Sequence, residues 1–451
     1  MDLAPIREVA PHERTIVGGR YELLFELASG GMGTVFVGRR LGAGGFQRLV
    51  AIKRMHARIA RDPDSSGAFQ DEARIASLIQ HANVVAIHDV YREGNEHLLV
   101  MDYIDGASLA ALLASLRKQD RRLPTNIGLR IIYEALRGLH AAHELVGHDG
   151  KSLEVVHRDA TPHNILIGTD GSVRLTDFGI ARAVVRAVCT EPGYSKGKYA
   201  YMAPEQAFAE PLDRRADVFT MGIVAWEVVT GKRLFANRPI LDVTRGVALG
   251  RIAAPSKECP SLPSMLDQVI LRALEPWREN RYPTAAHFAR AIEAFALREG
   301  GLAPPSAIAE ALEIAQGPIL AERKRKLRHF LAATVPDAAE HEFRMVEPSS
   351  PHLRPQPEVS QAATAPRSPP PPPPIAVAAQ PSAAAASETE NTRGAFRRRS
   401  RPIAAAMAIA MAFSAGIAFG RVLRNKNAVS VAERSGAHVL EAVQRLTASS
   451  R

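Results

Sequence analysis

The feature that most constrains the fold is the stretch "VVHRDATPHNILIG", residues 155–168, in which a charged loop separates two apolar runs. Apolar runs this short favour buried β-strands, so the sequence predicts a polar loop between two short strands. Two kinds of site suit the loop. His157, Asp159 and His163 are residue types that bind metal ions, whereas aspartate and asparagine in one loop also suit the handling of phosphate and of a hydroxyl proton.

Composition divides the chain of 451 residues into a large folded part and a C-terminal part of different character. Over residues 20–298, apolar runs alternate with turns and helical periods as in a folded domain; the polar extension 1–19 lacks the apolar core of a signal peptide. A helical extension over 299–345 follows. Residues 346–396 are rich in Pro, Ala and Ser, which predicts a disordered linker.

A charge-free segment, residues 402–420, follows the linker and is close to the ~20 residues that cross a bilayer. The arginine-rich segment 397–401 before it predicts, by the positive-inside rule, a folded part in the cytosol and an extracytoplasmic tail over 421–451. We therefore expect a single-pass protein of the inner (cytoplasmic) membrane. A small-residue face at Ala412, Gly416 and Gly420 would allow a homodimer. An Ala-rich helix outside the membrane is the alternative.

Charge and cysteine content argue against a nucleic-acid-binding protein and against a protein built on disulfides or a thiolate metal cluster. The formal net charge is +10, and basic residues gather in 322–329 and 397–401 without interleaved aromatic residues. We therefore expect no nucleic-acid partner. The two cysteines, Cys189 and Cys259, are too few for a disulfide framework or a thiolate metal cluster, which predicts folding in a reducing compartment.

A glycine-rich segment near the start of the folded part predicts a phosphate-binding hairpin. Gly30, Gly31 and Gly33 lie between the strand-like "YELLFEL" and the β-branched "TVFVG". The glycines therefore lead into a strand, unlike those of a dinucleotide fold, which lead into a helix. Without Cβ atoms, such residues let main-chain N–H groups approach phosphate oxygens. A plain hairpin without a ligand is the alternative.

Two charges at apolar positions predict an ion pair. Lys53 lies in the apolar strand "LVAIKRM", and Glu72 lies on the inward stripe of the helical "FQDEARIASLIQ". Because an unpaired buried charge is costly, we expect Lys53 and Glu72 to bind each other, with donors of Lys53 left for a phosphate. A surface lysine is the alternative. The next strand, "LLVMDYI", places Met101 on the wall of an adenine slot.

A second junction between a strand and a loop, "VRLTDFGIAR", places Asp177 before Phe178 and Gly179. Together with Asn164 of the first loop, Asp177 offers the oxygen ligands that suit Mg²⁺ when waters and phosphates complete its coordination. Asp159 is then free to accept a hydroxyl proton. An ordinary turn at Asp177 is the alternative.

The motifs together resemble a known family. GGMGTV, VAIK, the helical glutamate, HRDATPHN, DFG, APE and DVFTMG follow one another as in bacterial Hanks-type (eukaryotic-like) serine/threonine protein kinases. The resemblance implies an α+β, two-lobed fold, with a small β-rich N-lobe and a larger helical C-lobe. It also implies transfer of the ATP γ-phosphoryl group to protein hydroxyls, with Mg²⁺ or Mn²⁺, and autophosphorylation.

The resemblance further implies a role for each motif residue. Asp159 would be the catalytic base, and Lys53 would bind the α- and β-phosphates with Glu72 as its partner. Asn164 and Asp177 would bind the metal. The implied nucleotide site comprises Ala28, Gly30, Gly31, Gly33, Val35, Ala51, Lys53, Met101, Asp102 and Ile104. Glu205 is expected to pair with Arg281, and Asp217 to brace the catalytic loop.

Three residues depart from the family pattern. Ala28 replaces the first glycine of GxGxxG, Thr161 stands where serine/threonine kinases have Lys, and Lys198 stands where they have Thr. We hypothesise that Lys198 supplies the missing positive charge beside Asp159, which would make it a catalytic residue; a solvent-facing Lys198 is the alternative. A pseudokinase that acts as a membrane-anchored nucleotide sensor or partner-binding module is the alternative function. The APEQ segment argues against a small-molecule phosphotransferase.

Overall fold

The structure is a computed structural model that describes residues 15–30, 33–55, 70, 73–93, 96–178, 198–235 and 252–332. The strands of its N-terminal part are β1 (Thr15–Val17), β2 (Tyr21–Ser29), β3 (Gly33–Leu41), β4 (Gln47–Met55), β5 (Ile87–Glu93) and β6 (Glu96–Asp102). They form an antiparallel sheet in the order β1-β2-β3-β4-β6-β5. This sheet is the N-lobe.

The strands expected around the glycine-rich segment, around Lys53 and around Met101 are confirmed as β2, β3, β4 and β6. Alternate apolar residues on one face of the sheet form a buried cluster, as strand geometry requires. That cluster consists of Val17, Tyr21, Leu23, Val50, Ile52, Leu98 and Val100. In the helical segment 73–77 and just after it, Ala73, Ala76 and Ile79 are buried, in agreement with the predicted inward stripe.

The C-lobe contains a three-stranded sheet of β7 (Gly106–Ser108), β8 (Ile165–Gly168) and β9 (Val173–Leu175), and helices. The helices are α1 (Leu109–Lys118), α2 (Thr125–His143), α3 (Pro204–Ala207), α4 (Arg215–Thr230), α5 (Pro255–Glu258), α6 (Ser264–Ala273), α7 (Ala285–Arg298) and α8 (Pro305–Ala332). Every residue of α4 from Ala216 to Thr230 is buried. A helix buried on all sides lies at the centre of a core, so α4 organises this lobe.

One local expectation is wrong. The apolar run before the charged loop, Val155 and Val156, forms no strand, whereas the run after the loop is β8. The physical reason lies one residue further on, where the main-chain N–H groups of His157 and Arg158 donate to the Asp217 carboxylate. The main chain here is therefore bound by a side chain of α4 and not by a neighbouring strand.

Within the part of the chain that the structure describes, no helix is long and apolar enough to cross a membrane. The predicted linker 346–396, segment 402–420 and tail 421–451 lie outside that part, so those expectations stay predictions. The predicted extension 299–345 contains α8, which packs against the domain.

Candidate active site

An apolar slot lies where the two lobes meet. Ala51, Val85 and Met101 form its buried floor, and four partly buried residues pack on them: Val35, Ile87, Ile104 and Leu166. A flat apolar slot of this kind suits a planar aromatic base. The sequence motifs identified Val35, Ala51, Met101 and Ile104. They missed Val85, Ile87 and Leu166, which carry no local signal because long-range packing brings them to the slot.

The segment that follows β6 forms one edge of the slot. The N–H of Asp102 donates to the Ala86 carbonyl at 2.9 Å, which fixes the end of β6. The Asp102 carboxylate contacts Arg48 and His88 at 3.0 Å and 2.8 Å. No hydrogen bond within the described residues involves the main chain of Ile104. Its N–H and C=O are therefore the groups of this edge that suit a ligand.

The glycines of the β2–β3 hairpin serve different purposes. A Cβ at Gly33 would lie 2.3 Å from the main-chain oxygen of Arg54, so the pairing of β3 with β4 requires glycine there. Among the described residues, a Cβ at Gly30 would meet nothing within 4 Å. Ala28 is exposed and pairs with Val35 in the hairpin. Gly31 lies outside the described residues. The open space at Gly30, and not at Gly33, is where a phosphate has room.

Asp217 of α4 braces the charged loop, as expected from the motif. Its carboxylate accepts the N–H groups of His157 and Arg158, both at 2.7 Å, and the Nε2–H of His143 at 2.8 Å. Burial raises the pKa of Asp217, but the bonds from His143 and His157 outweigh burial and hold that pKa below its ordinary value. Arg158 has a φ of 65°, a strained main-chain conformation that these bonds stabilise.

His157 supports the loop and does not belong to a metal site. Its Nε2–H donates to the Thr176 carbonyl at 3.1 Å, its Nδ1 accepts the Asp159 N–H at 3.4 Å, and its ring lies 4.4 Å from that of Phe178. Both nitrogens are thus engaged by the protein. The described residues contain no group of His, Cys, Asp and Glu that suits a metal ion, so the metal interpretation of His157, Asp159 and His163 is wrong.

Asp159 and Asn164 lie side by side. The Asn164 Nδ2 donates to the main-chain oxygen of Asp159 at 2.8 Å and to its Oδ2 at 3.1 Å. The amide oxygen of Asn164 is therefore turned away from these acceptors and is the atom that suits a cation. The N–H of Thr176 donates to the main-chain oxygen of Asn164 at 2.9 Å, which joins this loop to the segment before Asp177.

Lys53 and Asp177 form an ion pair between the lobes. The Lys53 Nζ lies 2.7 Å from Asp177 Oδ1, and the lysine side chain is only 6% exposed. Asp177 has a φ of 61°, in the left-handed region that few residues other than glycine adopt. The partner expected for Lys53, Glu72, lies outside the described residues. The Lys53–Glu72 pair therefore stays a prediction.

The expected pair of Glu205 and Arg281 is confirmed. Two guanidinium nitrogens of Arg281 donate to the two carboxylate oxygens of Glu205 at 2.6 Å and 2.9 Å. Beside this pair, Gln206 Nε2 donates to the main-chain oxygen of Arg158 at 3.0 Å. The start of α3 is thus bound both to Arg281 and to the charged loop at Arg158.

Two positions bear on the departures from the family pattern. Thr161 is buried, and its N–H donates to the main-chain oxygen of Asp159 at 2.8 Å. Lys198 begins a 3-10 turn, Lys198–Tyr201, but its side chain lies outside the described part of the structure. The hypothesis that it reaches Asp159 stays a prediction. Tyr201 anchors the turn, because its hydroxyl donates to Glu227 Oε2 at 2.7 Å.

Comparison with known proteins yields a family match and several relatives. The family model described as "Protein kinase domain" matches residues 21–289. The chain is 40% identical to the tyrosine-protein kinase MasK of Myxococcus xanthus, over 61% of this chain and 43% of that protein. It is 34% identical to the serine/threonine-protein kinase PknA of Mycobacterium tuberculosis, over 66% of this chain and 65% of that protein. These matches therefore span less than two thirds of each relative.

The chain is also similar to one more mycobacterial kinase and to a solved kinase structure. The chain is 32% identical to the serine/threonine-protein kinase PknL of Mycobacterium bovis, over 63% of this chain and 68% of that protein. Among solved structures, the kinase domain of Mycobacterium tuberculosis PknI is 24% identical and aligns with a TM-score of 0.47, covering 62% of this chain and 96% of that chain.

Proposed function

The chain belongs to the protein kinase family, and we propose that it is a bacterial serine/threonine protein kinase that transfers the γ-phosphoryl group of ATP to protein hydroxyls. The observation that carries the proposal is one ion pair and one hydrogen-bonded pair, which the hydrogen bond from the Thr176 N–H to the Asn164 carbonyl joins. Lys53 lies 2.7 Å from Asp177, and Asn164 lies 3.1 Å from the Asp159 carboxylate. Phosphoryl transfer depends mainly on positioning and on neutralising charge, and these groups supply both.

Each of the four groups has a separate task. The Lys53 ammonium binds phosphate oxygens, and the Asp159 carboxylate accepts the proton of the acceptor hydroxyl and orients that hydroxyl. The Asn164 amide oxygen and the Asp177 carboxylate are hard oxygen donors that fit a divalent ion, for which we propose Mg²⁺ or Mn²⁺. When bound, that ion neutralises phosphate charge.

We place the nucleotide base in the apolar slot. The two faces of the base would lie between residues of both lobes, with Ala51 and Met101 on one side and Leu166 on the other. The free main-chain groups of Ile104 offer hydrogen bonds at the edge. The open space at Gly30 leaves room for the phosphates close to Lys53.

The names of the relatives bear on which protein hydroxyl accepts the phosphoryl group. PknA and PknL carry serine/threonine-protein kinase in their names, whereas MasK is named a tyrosine-protein kinase. Phosphoamino-acid analysis of the labelled protein should give phosphoserine and phosphothreonine. We expect autophosphorylation at Thr190 and Ser195, which lie in the polar middle of the segment between DFG and APE. Labelled phosphotyrosine as the main product would contradict this assignment.

The test compares two active-site variants with a matched surface variant. Asp159→Asn and Asp177→Asn each remove one carboxylate charge from the site, whereas Asp149→Asn makes the same change at an exposed position. With radiolabelled ATP and Mg²⁺, both site variants should lose most transfer and Asp149→Asn should keep the wild-type rate. Nucleotide binding without transfer in the wild type would indicate a pseudokinase. Wild-type activity in Asp177→Asn would show that the residue assignment is wrong.

We also propose that residues 402–420 anchor the kinase in the inner membrane and pair with a second copy. The proposal rests on the charge-free segment, the flanking arginines and the small residues. The full chain should remain in the membrane fraction after alkaline carbonate extraction, and Ile409→Arg should release it. Equal association signals from the native segment and from Gly416→Ile in a transmembrane reporter would contradict the dimer.

A further inference from the structure

The helix α8 begins beyond residue 289, where the family match ends, yet it packs against the domain. Its middle is fixed to the C-lobe by Gln316, which is 3% exposed. The Gln316 Nε2 donates to the Ala111 carbonyl at 2.9 Å and to Ser115 Oγ at 2.7 Å, both on α1. A buried amide with both bonds satisfied holds a helix in one register.

The other end of α8 packs on the N-lobe. Phe330 lies against Phe25 of β2, with 5.6 Å between the ring centroids. The whole contact joins three residues of α8 to β2, β3 and β4: Leu327, Phe330 and Leu331 pack with Leu24, Phe25, Leu27, Val37 and Leu49. Gln316 and Phe330 are about 21 Å apart along a regular helix. The helix therefore bridges the lobes.

Between these two ends, α8 contacts the segment that joins the lobes. The Arg323 Nη1 donates to the Gly106 carbonyl at 2.5 Å, and Lys324 Nζ lies 3.4 Å from Asp105 Oδ2. A Cβ at Gly106 would lie 1.9 Å from the Ile167 main-chain oxygen, so the segment is pressed against β8 on its other side. It is therefore held between α8 and β8.

Neighbouring residues of this segment face α8 and the slot. Tyr103 packs in the apolar cluster that contains the end of α8, whereas Ile104 packs with Ala51 and Met101 in the slot. Successive residues of an extended segment project to opposite sides. Burial raises the pKa of Tyr103, and the charge of Arg323 offsets part of that rise.

We propose that Arg323 is a positioning residue for ATP. It holds the main chain from Tyr103 to Gly106 against α8, so that Ile104 presents its N–H and C=O to the adenine. The inference rests on the proposed kinase function and extends it, since it makes α8 a part of the nucleotide site although α8 lies outside the matched family domain.

The test uses the full chain with a matched control on the same helix. Arg323→Met removes the donor to Gly106. Arg325→Met makes the same change at a side chain that is 72% exposed and pairs with Glu322 of its own helix. The lost hydrogen bond holds the main chain from Tyr103 to Gly106. Its loss should raise the Kd of a fluorescent ATP analogue and the KM for ATP by roughly 5- to 10-fold. The value of kcat should stay within about 2-fold.

Each outcome decides between explanations. Arg325→Met should match the wild type, and Arg323→Lys, which retains a donor, should recover part of the affinity. If the wild type binds no nucleotide, the kinase proposal itself fails. If the wild type binds and Arg323→Met binds equally well, the positioning role is wrong. A uniform loss of kcat and of the affinities for ATP and protein substrate, together with a lower Tm, would show a purely structural role and would also overturn the inference. If Arg323→Met does not fold, the same comparison is made with Arg323→Lys, and an unchanged KM for ATP would refute the proposal.

Discussion

The buried pair of Arg281 and Glu205 allows a quantitative prediction about stability. The Arg281 side chain is fully buried and that of Glu205 is 5% exposed, so water cannot replace either partner. Besides Glu205, Arg281 donates to the main-chain oxygens of Glu275, Arg215 and Pro276 at 2.8 Å, 3.0 Å and 2.9 Å. Arg281→Met therefore leaves one buried carboxylate and three partly buried carbonyls without this donor.

The expected loss follows from the unpaired charge. Breaking a buried pair by removing one partner costs about 3–5 kcal/mol, and the cost comes mainly from the charge left behind. Replacing both partners with apolar side chains removes that charge. The double variant Arg281→Met with Glu205→Leu should therefore have a free energy of unfolding at least about 2 kcal/mol higher than that of Arg281→Met alone. As a control, Lys232→Met breaks an exposed pair with Glu258 and should cost about 0–1 kcal/mol.

Urea unfolding followed by tryptophan fluorescence measures these differences. Trp226 is a suitable probe because it is buried in α4 and its indole N–H donates to the Ala253 carbonyl at 2.8 Å. The second tryptophan, Trp277, is 46% exposed and contributes less change on unfolding. If the double variant is no more stable than Arg281→Met, the unpaired Glu205 carboxylate is not the source of the lost stability. A loss below about 1 kcal/mol for Arg281→Met would refute the calculation outright.

Three further predictions concern the hairpin, the catalytic loop and the departures from the family pattern. Gly33→Ala should lower the unfolding free energy by about 1–3 kcal/mol, because its Cβ would lie 2.3 Å from the Arg54 carbonyl. Gly30→Ala adds a Cβ that meets no atom of the described residues within 4 Å, so it should leave stability unchanged in thermal unfolding; equal losses in both would contradict this. The pKa of Asp217 is held below its ordinary 3.8, so its stabilising contribution is present above that pH and is lost as the pH falls through the lower folded-state value. Asp217→Asn should lack this acid-dependent loss when unfolding free energy is measured against pH, and an identical pH profile would be the contrary result. Lys198→Thr should lower kcat on the order of 10²-fold, and adding Thr161→Lys should restore much of it; steady-state kinetics in which the double exchange is no better than Lys198→Thr would rule out a shared task.

The strands and the candidate residues of the site were predictable from local sequence. Strand periodicity is a property of a few neighbouring residues, which is why β2, β3, β4 and β6 were found. A buried charge such as Lys53 also carries its own signal, since an apolar strand that contains an ammonium needs an anion. The pairing of Glu205 with Arg281 followed from the family resemblance and is present in the structure.

Other features depend on contacts between distant parts of the chain, so they could not be predicted from local sequence. Val155 and Val156 look like a strand, but the Asp217 carboxylate binds the following main chain instead. The slot receives Val85 and Leu166 from segments without a motif. The positive φ values of Arg158 and Asp177 have no sequence signature either, because surrounding bonds impose them on residues that would not otherwise adopt them.

The helix α8 shows most clearly the difference between what local periodicity predicts and what long-range contacts decide. Its apolar and basic residues predict a helix beyond residue 298, since helical periodicity is local. Periodicity does not say what a helical face contacts, because Phe25 and Phe330 lie far apart in sequence and meet only when the chain has folded. The strands and helices of this protein and the chemical types of its candidate site residues are encoded in local sequence. The folded chain decided which of those residues face one another, because contact energies depend on distances in space.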